Sequence, residues 1–202
     1  MLLILLIAST VLISYMAFNN RELFDRLKFN PWAVVHRREY YRLLTHGFVH
    51  IGWEHLLINM LVLYSFGKAV IGQFVALWGS KSSLYFILLY VGGLLASNII
   101  ALRRHKDDAG YNAVGASGAV SSVLFAAIFF NPWNRVYFFG ILPIPGIIFA
   151  VLYLLYSGYM SRRVHDAIAH DAHLLGAIFG FLFPILLDAR LLPAFLRALL
   201  NL

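Results

Sequence analysis

The stretch from Ala113 to Pro132, AVGASGAVSSVLFAAIFFNP, begins with small and polar residues and continues as an apolar run that ends at Asn131–Pro132. A helix from Gly115 to Phe130 would hold about 16 residues and would be roughly 24 Å long at 1.5 Å per residue. That length is shorter than the ~30 Å hydrocarbon core of a bilayer. The stretch therefore predicts a short membrane helix that begins below the membrane surface, with Ser117 in a hollow that admits water.

The overall composition is typical of a membrane protein. Of the 202 residues, 61% are hydrophobic and 12% are charged, whereas soluble domains have about half apolar and a quarter charged residues. The length favours a single domain over residues 1–202. We therefore expect an integral, multi-pass membrane protein, which would lie in the cell membrane if the source is bacterial.

The cysteine content and the charge exclude other classes of protein. The chain has no cysteine, which excludes disulfides and thiolate metal sites. The net charge of +7 comes from 16 Lys and Arg residues that are spread over short connectors and form no stripe with interleaved aromatic residues. We interpret these cations as anchors at lipid headgroups, and no nucleic-acid partner is expected.

Six apolar runs are interpreted as membrane-spanning helices, at about residues 2–18, 53–71, 84–102, 115–130, 145–159 and 168–187. The predicted fold class is an all-α polytopic bundle of six transmembrane helices. Residues 19–50 form a long connector between helices 1 and 2 that mixes cations with aromatic residues, which is typical of an amphipathic cap lying against the headgroups. The final stretch LLPAFLRALLNL contains a proline and is interpreted as an interfacial tail.

Polar residues inside membrane spans are expensive and therefore indicate function. In the sixth helix, His173, Gly176 and Gly180 have the i, i+3, i+7 spacing that places them on one face. Glycines on that face let another helix approach closely, and Gly115 and Gly118 give the fourth helix a matching small surface. The two surfaces, packed together, would bring Ser117 close to His173.

This pairing is typical of nucleophilic catalysis. A serine hydroxyl becomes a nucleophile when a nearby base takes its proton, and histidine is the most common base. No carboxylate lies three or four residues from His173, so a Ser–His dyad is favoured over a triad. His55 and Asn59 are i, i+4 neighbours on the second helix. Both side chains can donate hydrogen bonds to an oxyanion.

Three short motifs resemble those of the rhomboid intramembrane serine proteases: GASG around Ser117, HLLIN from His55 to Asn59, and HLLGAIFG from His173 to Gly180. They stand in the family's order, on the predicted fourth, second and sixth helices respectively. The resemblance implies that Ser117 is the nucleophile and His173 the general base. It also implies an oxyanion hole made by His55, Asn59 and the Ser117 backbone N–H.

Further expectations follow from the same resemblance. His50 would support the oxyanion hole. No cofactor would be needed, and the substrates would be single-span transmembrane proteins. The fifth helix would be a lateral gate. The family's N-terminus usually faces the cytoplasm, and we retain that arrangement although it places only five of the 16 Lys and Arg residues inside, against the positive-inside tendency.

The chain departs from the family pattern at two positions. Some members have an aromatic residue one turn after the nucleophile, which stacks on the histidine ring, and here that position is Ser121. The ring of His173 must then be held differently, with Ser121 itself as the candidate. Tyr41–Arg42 stands where the family commonly carries a Trp–Arg pair.

Two other classes of function remain open at this point. One is a catalytically silent rhomboid-like protein that binds transmembrane clients. The other is a metal-dependent membrane hydrolase whose ligands would come from five histidines, His46, His50, His55, His170 and His173. The metal enzyme is disfavoured because the chain has no H-E-x-x-H motif.

Overall fold

A computed structural model describes residues 1–138, 140–163 and 170–200 of the chain. Most of these residues are helical, and two 3₁₀ turns lie at His46–Phe48 and Gly79–Lys81. The helices, in chain order, are α1 (Leu2–Phe18), α2 (Arg21–Leu27), α3 (Pro31–His36), α4 (Arg42–Thr45), α5 (Trp53–Trp78), α6 (Ser82–Ser97), α7 (Ile99–Arg104), α8 (Ser117–Phe130), α9 (Gly146–Arg163), α10 (His170–Leu187) and α11 (Leu191–Leu200). Two strands, β1 (Arg135–Phe138) and β2 (Leu142–Pro145), separate α8 from α9.

Two parts of the described chain are long and apolar enough to cross a membrane, the helical run 53–104 and α10. The run 53–104 turns at Gly79, whose φ of 53° lets the chain leave α5, and α6 then packs back against α5. Shorter apolar helices cover residues 2–18, 117–130, 146–161 and 191–200. The helical character of the chain is thus confirmed, whereas the count of six spans stays a prediction.

Two of the predicted helices have bounds that differ from the observed ones by several residues. The second helix continues past residue 71 to Trp78 because Phe74 is buried in the core. The third divides into α6 and α7 at Asn98, whose buried amide donates to the Leu43 carbonyl oxygen at 3.0 Å. The predicted start of the sixth helix, at Ile168, lies outside the described residues.

The all-α prediction needs one correction, because β1 and β2 form an antiparallel hairpin in which Arg135 pairs with Pro145. Pro143 and Pro145 fix φ and lack the N–H that a helix requires, so this segment cannot continue a helix. The β-branched and aromatic residues of β1 suit a strand, and Gly140 adopts a φ of 73° in the turn.

Helix α8 is the centre of the molecule. Every residue from Gly118 to Phe129 is buried, and α5, α6, α9 and α10 all pack against it. A helix that is apolar on all sides is typical of such a central position. The packing around α8 therefore holds its first residue, Ser117, in place.

Helices α8 and α10 come into backbone contact. A Cβ atom added to Gly176 would overlap the Gly118 backbone, and one added to Gly180 would overlap the Ser122 backbone. This is the close approach that the glycine spacing predicts. Since His173 lies one turn before Gly176, this contact also sets the distance between His173 and α8.

We expect Gly176→Ala to destabilise the protein by about 1–3 kcal/mol, because the two backbones must separate to admit the methyl group. His173 should be displaced as well, since it moves with α10. Gly72→Ala is the matched control, because nothing lies within 4 Å of an added Cβ there. Since alanine stabilises a helix more than glycine does, this variant should be at least as stable as the unmodified protein. Thermal unfolding in detergent measures both, and equal unfolding temperatures for the two variants would refute the packing argument.

Candidate active site

Ser117 and His173 face each other across the contact between α8 and α10. Ser117 is the first residue of α8, and His173 lies in the first turn of α10. The Ser117 Oγ lies 2.8 Å from the His173 Nε2, within hydrogen-bond distance. The structure therefore brings together the two residues that the sequence singles out as nucleophile and base.

A cavity of about 490 Å³ opens onto this pair. Its volume is in the range of pockets that enclose a drug-sized ligand. The lining residues come from the first connector, α5, the loop before α8, and the pair itself: Arg21, Phe24, Lys28, Ile51, His55, Asn112, Ala113, Val114, Ser117 and His173. A chain segment bound in this cavity would reach the Ser117 hydroxyl.

His55 and Asn59 lie one turn apart on α5 but in different surroundings. The His55 ring lines the cavity and lies against Gly115, where an added Cβ would be 2.9 Å from the His55 Nε2. Asn59 is buried, and its amide Nδ2 donates to the His55 carbonyl oxygen at 2.8 Å. His55 is thus in contact with the cavity, whereas the Asn59 amide is bonded within its own helix.

The start of α8 is held by histidines of the first connector. The Ala116 N–H donates to the His50 Nε2 at 3.3 Å, and the Gly115 N–H donates to the His46 carbonyl oxygen at 2.9 Å. Gly115 has a φ of 112°, which no helix accepts, so α8 begins at Ser117 and not at the predicted Gly115. These bonds place His50, the predicted supporting residue, directly before Ser117.

The hydrogen bonds of His50 indicate which ring nitrogen carries its proton. Since Nε2 accepts from Ala116, Nδ1 is the donor to the Ser14 Oγ at 2.9 Å, and the Ser14 hydroxyl donates in turn to the Phe48 carbonyl oxygen. Burial lowers the pKa of His50 to about 3 and that of His46 to about 4. Both rings are therefore neutral at pH 7, which leaves the His50 Nε2 free to accept from the Ala116 N–H.

The connector also holds the loop that leads to Ser117. Phe29 and Ala113 exchange two backbone hydrogen bonds of 2.9 and 3.0 Å. The Asn30 amide donates to the carbonyl oxygens of Ala109 and Tyr111 and to the side chain of Asn112. No motif in the sequence indicates these contacts, which join segments about 80 residues apart.

Tyr153 of α9 supplies an aromatic ring beside His173. The two rings are 6.4 Å apart between centroids with 23° between their planes, and the Tyr153 hydroxyl lies 2.7 Å from the Ser121 Oγ. The sequence predicts that Ser121 holds the His173 ring, but in the structure its hydroxyl bonds to Tyr153. An aromatic ring thus lies beside His173, and it comes from α9 and not from the helix of Ser121.

The acidic residue nearest to His173 in the sequence points elsewhere. The Asp171 Oδ2 accepts from the Arg104 Nη1 at 2.6 Å, so this carboxylate pairs with α7. His170 packs edge-on against the ring of His173 at 6.4 Å.

Within residues 1–138, 140–163 and 170–200, no three His, Asp or Glu side chains form a group suited to a metal ion.

Comparison with known proteins agrees with this architecture. The family model described as a Rhomboid domain matches residues 37–190, three quarters of the chain, including Ser117 and His173. The chain belongs to the rhomboid family. Rhomboids are membrane-embedded proteins, commonly intramembrane serine proteases, although some are inactive.

Three curated relatives place the chain within this family. It is 28% identical over 169 residues to the Rhomboid protease GluP of Bacillus subtilis (strain 168), covering 84% of this chain and 30% of that protein. It is 26% identical over 150 residues to RHOMBOID-like protein 12, mitochondrial, of Arabidopsis thaliana, covering 67% and 43%. Rhomboid-like protein 11, chloroplastic, of the same plant is 30% identical over 156 residues, covering 70% and 50%. The rhomboid match thus spans half or less of each relative.

Proposed function

We propose that this protein is an intramembrane serine endopeptidase that uses Ser117 as nucleophile and His173 as general base. The observation that carries the proposal is the 2.8 Å separation of the Ser117 Oγ and the His173 Nε2 at the base of a cavity. A nucleophile within hydrogen-bond reach of its base is the geometric signature of covalent catalysis. Membership of the rhomboid family and the similarity to a named protease support it further.

The proposed reaction proceeds in two halves. The Ser117 Oγ attacks the carbonyl carbon of the scissile bond while the His173 Nε2 takes its proton, and the tetrahedral intermediate then expels the amine, which receives that proton. A water molecule attacks the resulting acyl ester, gives a proton to the His173 Nε2, and releases the carboxylic acid as Ser117 regains its proton. The products are the two fragments of the substrate, and no cofactor takes part.

The negative charge on the intermediate would be stabilised by donors that converge on Ser117. The backbone N–H groups at the start of α8 have no partner within the helix and lie at the positive end of its dipole. His55, which lines the cavity, supplies a side-chain donor. Asn59 joins this oxyanion hole only if its amide turns away from the His55 carbonyl oxygen.

The substrates of this activity are proposed to be single-span transmembrane proteins. The carbonyl groups of a membrane helix are occupied by its own hydrogen bonds, so the target must unwind before attack. We propose that α1, α5, α6, α8, α9 and α10 are the six spans, with α9 as the gate and the N-terminus in the cytoplasm. Gly146 and the prolines of β2 mark the start of the gate.

The proposal is tested with the purified protein in liposomes and a set of single-span reporter proteins. Mass spectrometry of the fragments should show one cut in or next to the transmembrane segment, and a chelator should not prevent it. Binding of the reporters without any cleavage would instead assign the protein to the catalytically silent rhomboid-like class. Loss of cleavage with the chelator would point to a metal enzyme.

Tyr153 gives a prediction about how the base is oriented. We expect Tyr153→Ala to lower kcat roughly 10-fold or more without a matching change in KM, because a misplaced catalytic group costs rate. Tyr153→Phe keeps the ring and loses only the bond to Ser121, so its effect should be smaller. Steady-state kinetics on a reporter measure both variants.

The control for Tyr153 is a double-mutant cycle with Ser121→Ala. If the two hydroxyls act through their mutual bond, Tyr153→Phe combined with Ser121→Ala should cost no more than either change alone. Tyr156→Phe, which changes a neighbouring tyrosine of α9, should leave kcat unaltered. Equal kinetics for Tyr153→Ala and the unmodified protein would exclude the ring from the orientation of His173.

A further inference from the structure

Two cations, and no anions, stand among the described side chains that line the cavity. Arg21 and Lys28 reach it from α2 and its C-terminal cap, on the side of the first connector. Among the described residues that line the cavity there is no aspartate or glutamate. The same cavity contains Ser117 and His173, so a peptide segment of a few residues would contact the cations and the nucleophile together.

The two cations share a single carboxylate. The Asp25 Oδ1 accepts from the Lys28 Nζ at 2.8 Å, and the Asp25 Oδ2 accepts from the Arg21 Nε at 3.2 Å. The hydrogen bond from Lys28 holds the pKa of Asp25 below its ordinary value of 3.8, so this group is ionised at neutral pH. Arg21, Lys28 and Asp25 together thus carry a net charge of +1 at the wall of the cavity.

The connector fixes α2, which keeps Lys28 in position. Arg42 is buried, and its Nη1 donates to the carbonyl oxygens of Asp25 and Lys28, each at 2.8 Å. The Nε of Arg42 pairs with Glu39, and the Thr45 hydroxyl donates to the Leu27 carbonyl oxygen at 2.9 Å. The Lys28 side chain is 20% exposed and that of Arg21 is 82% exposed, so Lys28 is the inner cation and Arg21 the outer one.

We propose that Arg21 and Lys28 select substrates that carry an acidic side chain within a few residues of the scissile bond. This inference rests on the proposed protease function and names the substrate class of that same site. The acidic side chain of the substrate would pair with the excess positive charge of Arg21 and Lys28. It would lie on the extended substrate segment that enters the cavity. Charge complementarity of this kind confers specificity and faster encounter more than raw affinity.

The test uses pairs of reporter proteins in liposomes, and the two members of a pair differ only by Asp or Asn at one position near the cut. The substitution is placed in turn at each of the three positions before and the three positions after the scissile bond, which gives six pairs. We expect the kcat/KM ratio of Asp over Asn to be roughly three- to tenfold at the best position, as for a few partly exposed charge pairs. In Arg21→Gln combined with Lys28→Gln the ratio should fall to about one. With Lys28→Glu, a Lys reporter should become the preferred substrate.

Arg26→Gln is the matched control. Arg26 belongs to the same helix and the change removes the same charge, but its exposed side chain does not line the cavity, so the Asp over Asn ratio should stay at the unmodified value. Raising the salt to about 1 M, where the Debye length is about 3 Å, should reduce the preference. A preference that is insensitive to salt would be steric and would overturn the proposal.

The remaining outcomes of this test also separate the substrate preference from the protease function. A ratio near one in the unmodified protein at all six positions overturns the inference while the cleavage itself upholds the protease. If added phosphatidylglycerol changes cleavage of both reporters equally and the ratio stays near one, the cations bind lipid phosphate and the inference is wrong. If no reporter is cleaved and no serine-reactive probe labels Ser117, the protease function fails and the inference fails with it.

Discussion

Ser117→Ala is expected to abolish cleavage of every transmembrane substrate, with a loss in kcat on the order of 10⁶-fold, as for removal of the nucleophile in soluble serine proteases. The variant lacks the Oγ that is proposed to attack the carbonyl carbon, and none of the other described residues that line the cavity carries an aliphatic hydroxyl. Steady-state kinetics on a reporter, followed by fragment analysis, provide the measurement.

The fold should survive this change. Ala116 and not Ser117 is the N-cap residue of α8, and the Ser117 hydroxyl bonds to His173, so its loss leaves the backbone bonds of the helix start intact. Ser122→Ala is the matched control, because Ser122 lies on the same helix, is fully buried, and bonds to the Ala119 carbonyl oxygen at 2.7 Å. Near-normal cleavage by Ser117→Ala, or its loss in Ser122→Ala at an unchanged unfolding temperature, would contradict the assignment of the nucleophile.

His173→Ala is expected to cause a loss of similar size, because the Ser117 hydroxyl then has no base to take its proton. Groups that act as a unit are strongly non-additive, so the combined Ser117→Ala and His173→Ala protein should be no slower than either single variant. The comparison of all three by kcat on one reporter is the measurement.

His36→Ala controls for the loss of a histidine. His36 lies on the connector surface, where its Nε2 pairs with Asp107 at 3.1 Å, and its removal should leave kcat unchanged. If His173→Ala kept most of the activity, another base would have to serve Ser117. His170, which packs edge-on against His173, would then be the first residue to replace.

The sequence predicts those parts of the site that depend on local spacing. The i, i+3, i+7 pattern of His173, Gly176 and Gly180 is a property of one helix, and it correctly predicts the face that meets α8. Small residues around Ser117 predict the other half of the contact. The 2.8 Å separation of Oγ and Nε2 follows from these two faces.

Contacts between distant segments could not be predicted in this way. Tyr153 reaches Ser121 from 32 residues away, and nothing in the pattern of α9 distinguishes it from the other tyrosines of that helix. The β hairpin cannot be predicted either, because Pro143 and Pro145 show only that no helix continues through this segment. The hydrogen bonds from the Asn30 amide to residues 109–112 join positions about 80 residues apart. No periodic pattern in the sequence indicates them.

The most direct test of the account is labelling with a serine-reactive fluorophosphonate probe. The unmodified protein should be labelled at Ser117, identified by mass spectrometry of the modified peptide, whereas Ser117→Ala should not be labelled and His173→Ala should be labelled far more slowly. Ser122→Ala should behave like the unmodified protein. Labelling that persists in Ser117→Ala, or that is equally fast in His173→Ala, would contradict the Ser117–His173 dyad.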